Sequence, residues 1–100
     1  MVIISKPRLN EYATRNAQAT EALNLWYYLV KAADWSDFNA LRQDMPATDY
    51  VLNDRYVFNI KGNHYRLIAR IIFPVRTLYI RGIFTHAEYD KLSKAQISQL

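Results

Sequence analysis

The spacing of apolar residues along the chain changes near Pro46 from every third or fourth position to every second position. Before Pro46, apolar residues three and four positions apart predict three helices, over about residues 7–16, over about residues 20–33 and from residue 36 onward. After Pro46, apolar and polar residues alternate over roughly forty residues, as in strands that bury one face. A short β-branched run, Val2 to Ile4, precedes the helices and predicts one more strand.

The predicted helices carry local start and stop signals. Pro7 suits the first turn of the first helix, and Thr20 is predicted to be the N-cap of the second. Ser36-Asp37 can cap a short third helix that carries Phe38 and Leu41 and that Pro46 stops. The residues predicted to face the core from this half of the chain are Leu9, Tyr12, Ala13, Ala22, Leu23, Trp26, Val30, Ala33 and Trp35.

Three consecutive strands are predicted after these helices. They cover Arg55 to Ile60, Tyr65 to about Phe73, and Thr77 to Thr85. The first two are joined by Lys61-Gly62-Asn63, a tight-turn signal, since glycine and asparagine tolerate the positive φ that hairpins require. Asn63 is therefore predicted to be a left-handed turn residue.

Strict alternation assigns a face to each strand residue. On the second predicted strand, Arg66 and Arg70 share one face with Ile68 and Ile72. On the third, alternation places Leu78, Ile80 and Phe84 on one side and Tyr79, Arg81 and Ile83 on the other. Isoleucines beside arginines on a face without helices predict an open groove with an apolar floor and basic walls, which suits a polyanion.

A final short helix is predicted to follow the third strand. Thr85 and Glu88 form the Thr-x-x-Glu pattern of a capping box. His86 and Tyr89 would then lie in the first turn of that helix, where the strand ends. Helices followed by antiparallel strands predict an α+β fold, with the N-terminal helices covering one face of a mostly antiparallel sheet.

Composition limits the class of protein. A chain of 100 residues with 51% apolar residues is predicted to form one domain, 1–100, around a single core. There is no cysteine and there are two histidines, so a structural metal site is not expected. The apolar runs are too short for a membrane span. The start, MVIISKPRL, lacks the apolar region of a secretion signal, which predicts a cytoplasmic protein.

Charge is unevenly distributed along the chain. From Arg55 onward there are eight basic and two acidic residues, a net charge of +6. The first 54 residues carry five basic and seven acidic residues, a net charge of −2, so the total of +4 conceals a polarised molecule. A basic, sheet-forming half predicts an anionic partner, and nucleic acid is the leading candidate.

The stretch from Tyr56 to Lys91 resembles a known family. The segments FNIKGNHYRLIARI and LYIRGIFTHAEYDK, in this order and spacing, are similar to the signature of the HigB toxins, the RelE-like toxic component of a bacterial toxin–antitoxin pair. The resemblance implies a RelE-like fold and an mRNA interferase that cuts messages while they are translated on the ribosome. It also implies neutralisation by a helix-turn-helix antitoxin of the HigA type, with no cofactor.

The residue types fit metal-independent cleavage of RNA. Attack of the 2′-hydroxyl on the adjacent phosphorus needs a base, cations for the charge on the phosphorane and an acid for the leaving oxygen. Imidazole titrates near pH ~6.5, so His86 is the sharpest acid–base candidate, helped by the resemblance, although it could also be an ordinary first-turn residue. Arg66 and Arg81 could clamp phosphate or merely provide solubility. Tyr89 could donate a proton, stack on a base or pack on the sheet.

Four further residues are predicted to contact the substrate. For each of them a structural role is the alternative, such as a solvated turn lysine or a turn asparagine. They are Lys61, Asn63, His64 and Arg70.

Two rival functions follow from the same residues. A basic sheet could hold RNA or an acidic protein segment without cutting anything, which would make the chain a non-catalytic binding module. A small metabolic enzyme is disfavoured because the chain has no glycine-rich phosphate loop, nucleophile elbow or carboxylate pair.

Overall fold

A computed structural model describes all residues, 1–100, as a five-stranded sheet with helices on both sides. The helices are α1 (Lys6–Arg15), α2 (Thr20–Ala32), α3 (Phe38–Asp44), α4 (His86–Asp90) and α5 (Lys94–Ser98). The strands are β1 (Val2–Ile4), β2 (Asp49–Tyr50), β3 (Arg55–Ile60), β4 (Tyr65–Ile72) and β5 (Thr77–Thr85). Short 3₁₀ turns cover Ala17–Ala19 and Phe73–Val75.

The sheet has the strand order β1-β5-β4-β3-β2. Strands β2 to β5 form an antiparallel meander, and β1 pairs in parallel with β5 at the edge. The predicted α+β fold with a mostly antiparallel sheet is therefore confirmed. None of the five α-helices has both the length and the apolar composition that spanning a bilayer requires.

One face of the sheet, here called the helix face, packs against α1, α2 and α3. Alternate residues of β3, β4 and β5, such as Phe58, Leu67 and Ile80, meet Leu23 and Trp26 in a core of 17 buried residues. The two tryptophans are buried as predicted, with Trp26 4% and Trp35 2% exposed. This layer fixes the sheet and so positions the side chains on its opposite face.

The opposite face, here called the basic face, is not an open groove in its middle. Val57 and Ile68 are covered by Ile97 of α5 in a second small core, and Ile68 has no exposed surface. The predicted apolar groove floor at Ile68 is therefore wrong, because a helix that the sequence pattern did not reveal covers it. Helix α5 begins with a second capping box, between Ser93 and Gln96.

The side chains of β5 alternate between the two faces of the sheet, and this alternation is reversed partway along the strand by a β-bulge. Ala69 pairs with Ile80 and Ile68 pairs with Gly82, so Arg81 is the extra residue. Beyond the bulge Ile83 packs with the helix-face core and Phe84 with the small core on the basic face. The predicted faces of Ile83 and Phe84 were therefore wrong, since strict alternation assumes an unbroken ladder.

Local backbone signals were read correctly in some places and not in others. The capping box at α4 is confirmed, with the amide of Glu88 donating to Thr85 Oγ1 at 3.2 Å and the amide of Thr85 donating to Glu88 Oε1 at 2.8 Å. Thr20 is not an N-cap but the first residue of α2. In the β3–β4 turn the positive φ values belong to Lys61 and Gly62, at 53° and 63°, and not to Asn63.

Candidate functional site

Six of the eight predicted site residues gather at one end of the basic face, where the β3–β4 turn meets the start of α4. The main-chain link is the amide of His86, which donates to the carbonyl oxygen of His64 at 3.0 Å. We call this group the turn-end cluster; its members are Lys61, Asn63, His64, Arg66, His86 and Tyr89. Because the β4–β5 pairing sets Tyr65 opposite Thr85, the turn and α4 are adjacent by register.

Arg66 lies at the centre of this cluster. Its Nη1 donates to the carbonyl oxygens of Asn63 and Tyr65, both at 3.2 Å, and its Nη2 donates to Asn63 Oδ1 at 3.3 Å. Its Cζ lies 5.8 Å from the centre of the Tyr89 ring. No carboxylate forms an ion pair with this guanidinium. Arg66 is thus oriented by neutral acceptors and keeps its charge for an anionic ligand.

His86 is held by a carboxylate and remains accessible. Its Nδ1 lies 2.8 Å from Asp90 Oδ2, one turn further along α4, and 47% of its side chain is exposed. A carboxylate on one ring nitrogen orients the imidazole and leaves Nε2 free for a substrate. Asp90 was not predicted to contribute, although its spacing of four residues from His86 on a helix is a signal that the sequence contains.

The Tyr89 phenol is kept in its protonated form. Burial raises its pKa most, the carboxylates of Asp49 and Asp90 raise it further, and the guanidinium of Arg66 opposes them. Tyr89 also packs against the small core on the basic face. The tyrosine therefore packs on the sheet and also presents a protonated hydroxyl beside Arg66.

Alkaline unfolding provides a test of this environment. Burial is the largest cause of a raised pKa at Tyr12, Tyr56 and Tyr89. Between the unfolded value of about 10 and the higher folded value, the unfolded chain has lost protons that the folded chain retains, so stability falls as pH rises. We expect Tyr89→Phe to weaken this fall when urea unfolding is compared at pH of about 8 and about 11. An unchanged pH dependence in the variant would contradict a perturbed Tyr89.

The two other predicted arginines, Arg70 and Arg81, lie on the basic face away from the β3–β4 turn. They are close to Arg55, which the sequence did not single out. Arg55 pairs across the strands with Arg70. The pKa of Arg55 is lowered first by its burial and then by the charges of Arg70 and Arg81. We call these three residues the arginine triad. Three guanidiniums that repel one another would be stabilised by a nearby anion.

Arg55 also holds the end of α5 in place. It is only 8% exposed, and its Nη1 and Nη2 donate to the carbonyl oxygens of Asn53 and Leu100, each at 2.7 Å. The buried Nε atoms of Arg55 and Arg81 have no protein partner. The sequence indicated only that Arg55 contributes to the basic charge of the sheet. Its hydrogen bonds could not be predicted, because they depend on strand register and on the position of α5.

The structure therefore divides the predicted site into two parts. Arg66 and Arg70 are four residues apart on one strand, which separates their backbones by roughly 13 Å. The turn-end cluster contains the imidazoles and the Tyr89 phenol, and the arginine triad contains Arg70 and Arg81. No three His, Cys, Asp or Glu side chains lie close enough together to hold a metal ion.

The turn residues differ in how free they are. His64 Nδ1 lies 2.8 Å from the carbonyl oxygen of Lys61, so that ring atom is occupied within the turn. Asn63 is exposed and orients Arg66. Lys61 is exposed, forms no ion pair, and borders a groove on the helix face.

Comparison with known proteins identifies the class. Residues 19–92, which include the turn-end cluster and the arginine triad, match the family model described as HigB toxin, the RelE-like toxic component of a toxin–antitoxin system. The chain is thus a RelE-like toxin component by class. It belongs to the HigB toxin family.

Curated relatives agree with this family. The chain is similar to the mRNA interferase HigB of Escherichia coli O6:H1, with 35% identity over 96 residues that cover 94% of this chain and 93% of the relative. It is also similar to the mRNA interferase toxin HigB of Escherichia coli K12 and to the mRNA interferase HigB of Shigella flexneri. Each is 32% identical over 93 residues, covering 90% of this chain and 88% of the relative.

Proposed function

We propose that this chain is an mRNA interferase toxin, an endoribonuclease that cuts messages on the translating ribosome in the cytoplasm. The observation that carries the proposal is the turn-end cluster, where an accessible imidazole, a protonated phenol and an unpaired guanidinium lie at the same end of the sheet. These are the three kinds of group that cleavage of RNA through its 2′-hydroxyl requires. The names of the relatives support the same activity.

In the proposed reaction the RNA supplies its own nucleophile. The 2′-oxygen bonds to the adjacent phosphorus as its proton passes to a base, and the bond from phosphorus to the 5′-oxygen breaks as that oxygen receives a proton. The products are a 2′,3′-cyclic phosphate and a 5′-hydroxyl. Since the nucleophile is internal, the step needs no metal-bound water.

Each residue of the cluster has a role in this scheme. His86 Nε2 is the acid–base group, because Asp90 holds the other ring nitrogen. Arg66 stabilises the charge that develops on the phosphorane oxygens. Tyr89 donates a hydrogen bond, since its raised pKa keeps the proton on the phenol. Lys61, Asn63 and His64 line the approach from the turn.

The arginine triad has a separate role in the proposal. At roughly 13 Å from Arg66 along β4, Arg70 is positioned for a phosphate that flanks the scissile one. Arg81, which the sequence grouped with Arg66, belongs with Arg70 in this scheme, because its charge acts on Arg55. Binding would thus involve several phosphates of one strand, on either side of α5, which covers Ile68 between Arg66 and Arg70.

The partners follow from the same proposal. Messenger RNA on the ribosome is the substrate, and a cognate helix-turn-helix antitoxin of the HigA type is the inhibitor. Neither a cofactor nor a metal has a role in the scheme.

Cleavage in a translating extract tests the function directly. We expect the purified chain to generate new 5′ ends within a message that is being translated, mapped by primer extension. The same message without ribosomes should be cut much more slowly, because the ribosome orients the strand for in-line attack. If the chain binds the message and yields no new ends, it is a non-catalytic binding module.

A further inference from the structure

The outer edge of β3 is only partly covered by its neighbour. Strand β2 consists of Asp49 and Tyr50, which pair with Val57 and Tyr56, and no strand lies beside residues 58–60. The amide of Val51 donates to the carbonyl oxygen of Arg55 at 2.9 Å, so the backbone of Arg55 faces the β2 side. Because these groups alternate along an antiparallel strand, the N–H and C=O of Asn59 also face outward. The sheet therefore has an open edge at Asn59.

An apolar groove of about 460 Å³ runs beside this open edge on the helix face. It lies between α2, the residues of β3 that β2 leaves uncovered, and residues 45–48, which precede β2. Leu25 and Leu29, one helical turn apart, line it and are 60% and 52% exposed. Trp26 forms its inner wall, and the buried indole N–H of Trp26 has no acceptor. Large exposed leucines beside a groove mark a surface that a partner covers.

Positive charge flanks the open edge on both faces of the sheet. Lys61 borders the groove at the end of β3. On the basic face, Asn59 pairs with Arg66 of β4. Neither cation has an acidic partner within the chain. A strand that paired with Asn59 would send alternate side chains into the groove and toward Arg66.

We propose that an extended segment of the antitoxin docks here as an additional strand along residues 58–61. Its apolar side chains would occupy the groove against Leu25 and Leu29, and acidic side chains would meet Lys61 and Arg66, so the segment alternates apolar and acidic residues. This inference rests on the part of the proposed function that gives the chain an antitoxin. Because Arg66 is also a residue of the turn-end cluster, the docked segment would compete with the RNA phosphate for the same guanidinium.

The groove can be tested with a variant that replaces no residue of the turn-end cluster. In the full-length chain, Leu25→Glu/Leu29→Glu places two carboxylates in the groove, and both positions are exposed enough to accept them without unfolding. Val75→Glu is the matched control, because Val75 is 63% exposed in the turn before β5, outside the groove. The probe is the purified cognate antitoxin, with affinity measured by calorimetry and circular dichroism confirming the fold.

The expected result separates the groove variant from its control. Affinity for the antitoxin should fall by at least about tenfold in the double variant and stay unchanged in Val75→Glu. Cleavage of message by the double variant should persist and should no longer be suppressed by the antitoxin. Hydrogen exchange of the parent chain should show protection of the Asn59 amide in the complex.

Several outcomes would overturn the inference. The first is equal affinity for the antitoxin in the parent chain, the double variant and Val75→Glu. The second is no binding of the antitoxin by the parent chain. The third is protection of the Asn59 amide by RNA and not by the antitoxin. If the parent chain binds antitoxin through the groove and cuts no message, the proposed function fails and the docking site stands. Measuring cleavage by the parent chain alone therefore separates the two proposals.

Discussion

Replacing Arg66 with alanine is expected to lower the rate of message cleavage by about 100-fold or more. The guanidinium is oriented by three hydrogen bonds to neutral oxygens and has no carboxylate partner. Its loss removes the charge that is proposed to meet the phosphorane, and such groups typically contribute a factor of about 10² to 10³. The measurement is the single-turnover rate of cleavage in a translating extract.

Arg42→Ala is the matched control for this experiment. Arg42 is an exposed arginine of α3, in the layer that covers the helix face, and its Cζ lies 5.6 Å from the centre of the Phe38 ring. Arg76 is a poorer control, since its Nε pairs with Asp34 at 2.7 Å and its Nη1 donates to the carbonyl oxygen of Phe73 at 2.8 Å. Equal losses in Arg66→Ala and Arg42→Ala would mean that overall charge, and no particular phosphate contact, drives the activity.

A single 2′-deoxy nucleotide on the 5′ side of the cleaved bond is expected to block cleavage there by at least about 10³-fold. The substitution removes the proposed nucleophile and leaves the phosphate contacts in place. An intramolecular nucleophile held near its target has an effective concentration of up to about 10⁵ to 10⁸ M, so water does not readily replace it. Primer extension on a message carrying this one substitution provides the measurement.

The control message carries the 2′-deoxy nucleotide one position further upstream, where cleavage should continue at the normal rate. The cut ends should carry a 2′,3′-cyclic phosphate and a 5′-hydroxyl. Undiminished cutting at the substituted position would show that water or another external nucleophile attacks. The proposed scheme, in which the RNA supplies its own nucleophile, would then be wrong.

Local signals predicted much of the fold. The bounds of β3 and β5 matched the alternating pattern, and the Thr85–Glu88 capping box placed the start of α4. These features depend on residues close together in the chain, where periodicity and capping chemistry act directly. The charge difference between the two halves similarly indicated that the sheet carries a basic face.

Features that depend on register between strands or on distant segments were missed. The local signal for a bulge at Arg81 is the glycine that follows it, Gly82, which strict alternation ignores, so the faces of Ile83 and Phe84 were reversed. The role of Arg55 depends on the carbonyl oxygen of Leu100, 45 residues away. Helix α5 spans only five residues, too few for a periodic pattern to stand out.

The candidate site was predicted as one cluster and lies in two parts. Residue types and the family resemblance selected His86, Arg66 and Tyr89, which do come together near the turn. Arg81 was grouped with them because both arginines lie on adjacent strands. The bulge sets the position of Arg81. The charge of Arg81 acts on Arg55, at the end of the basic face away from the β3–β4 turn.

The bulge lets β5 accommodate one residue more than its partner strand without moving the start of α4. If Arg81 alone were deleted, regular pleating would run from Leu78 to Thr85, with Ile83 still opposite Leu67 and Phe84 still opposite Arg66. Each side chain would therefore stay with its present core, and His86 would keep its place. The deletion would remove only the guanidinium whose charge acts on Arg55, so a lost codon at this position is expected to spare the architecture and to weaken the basic face.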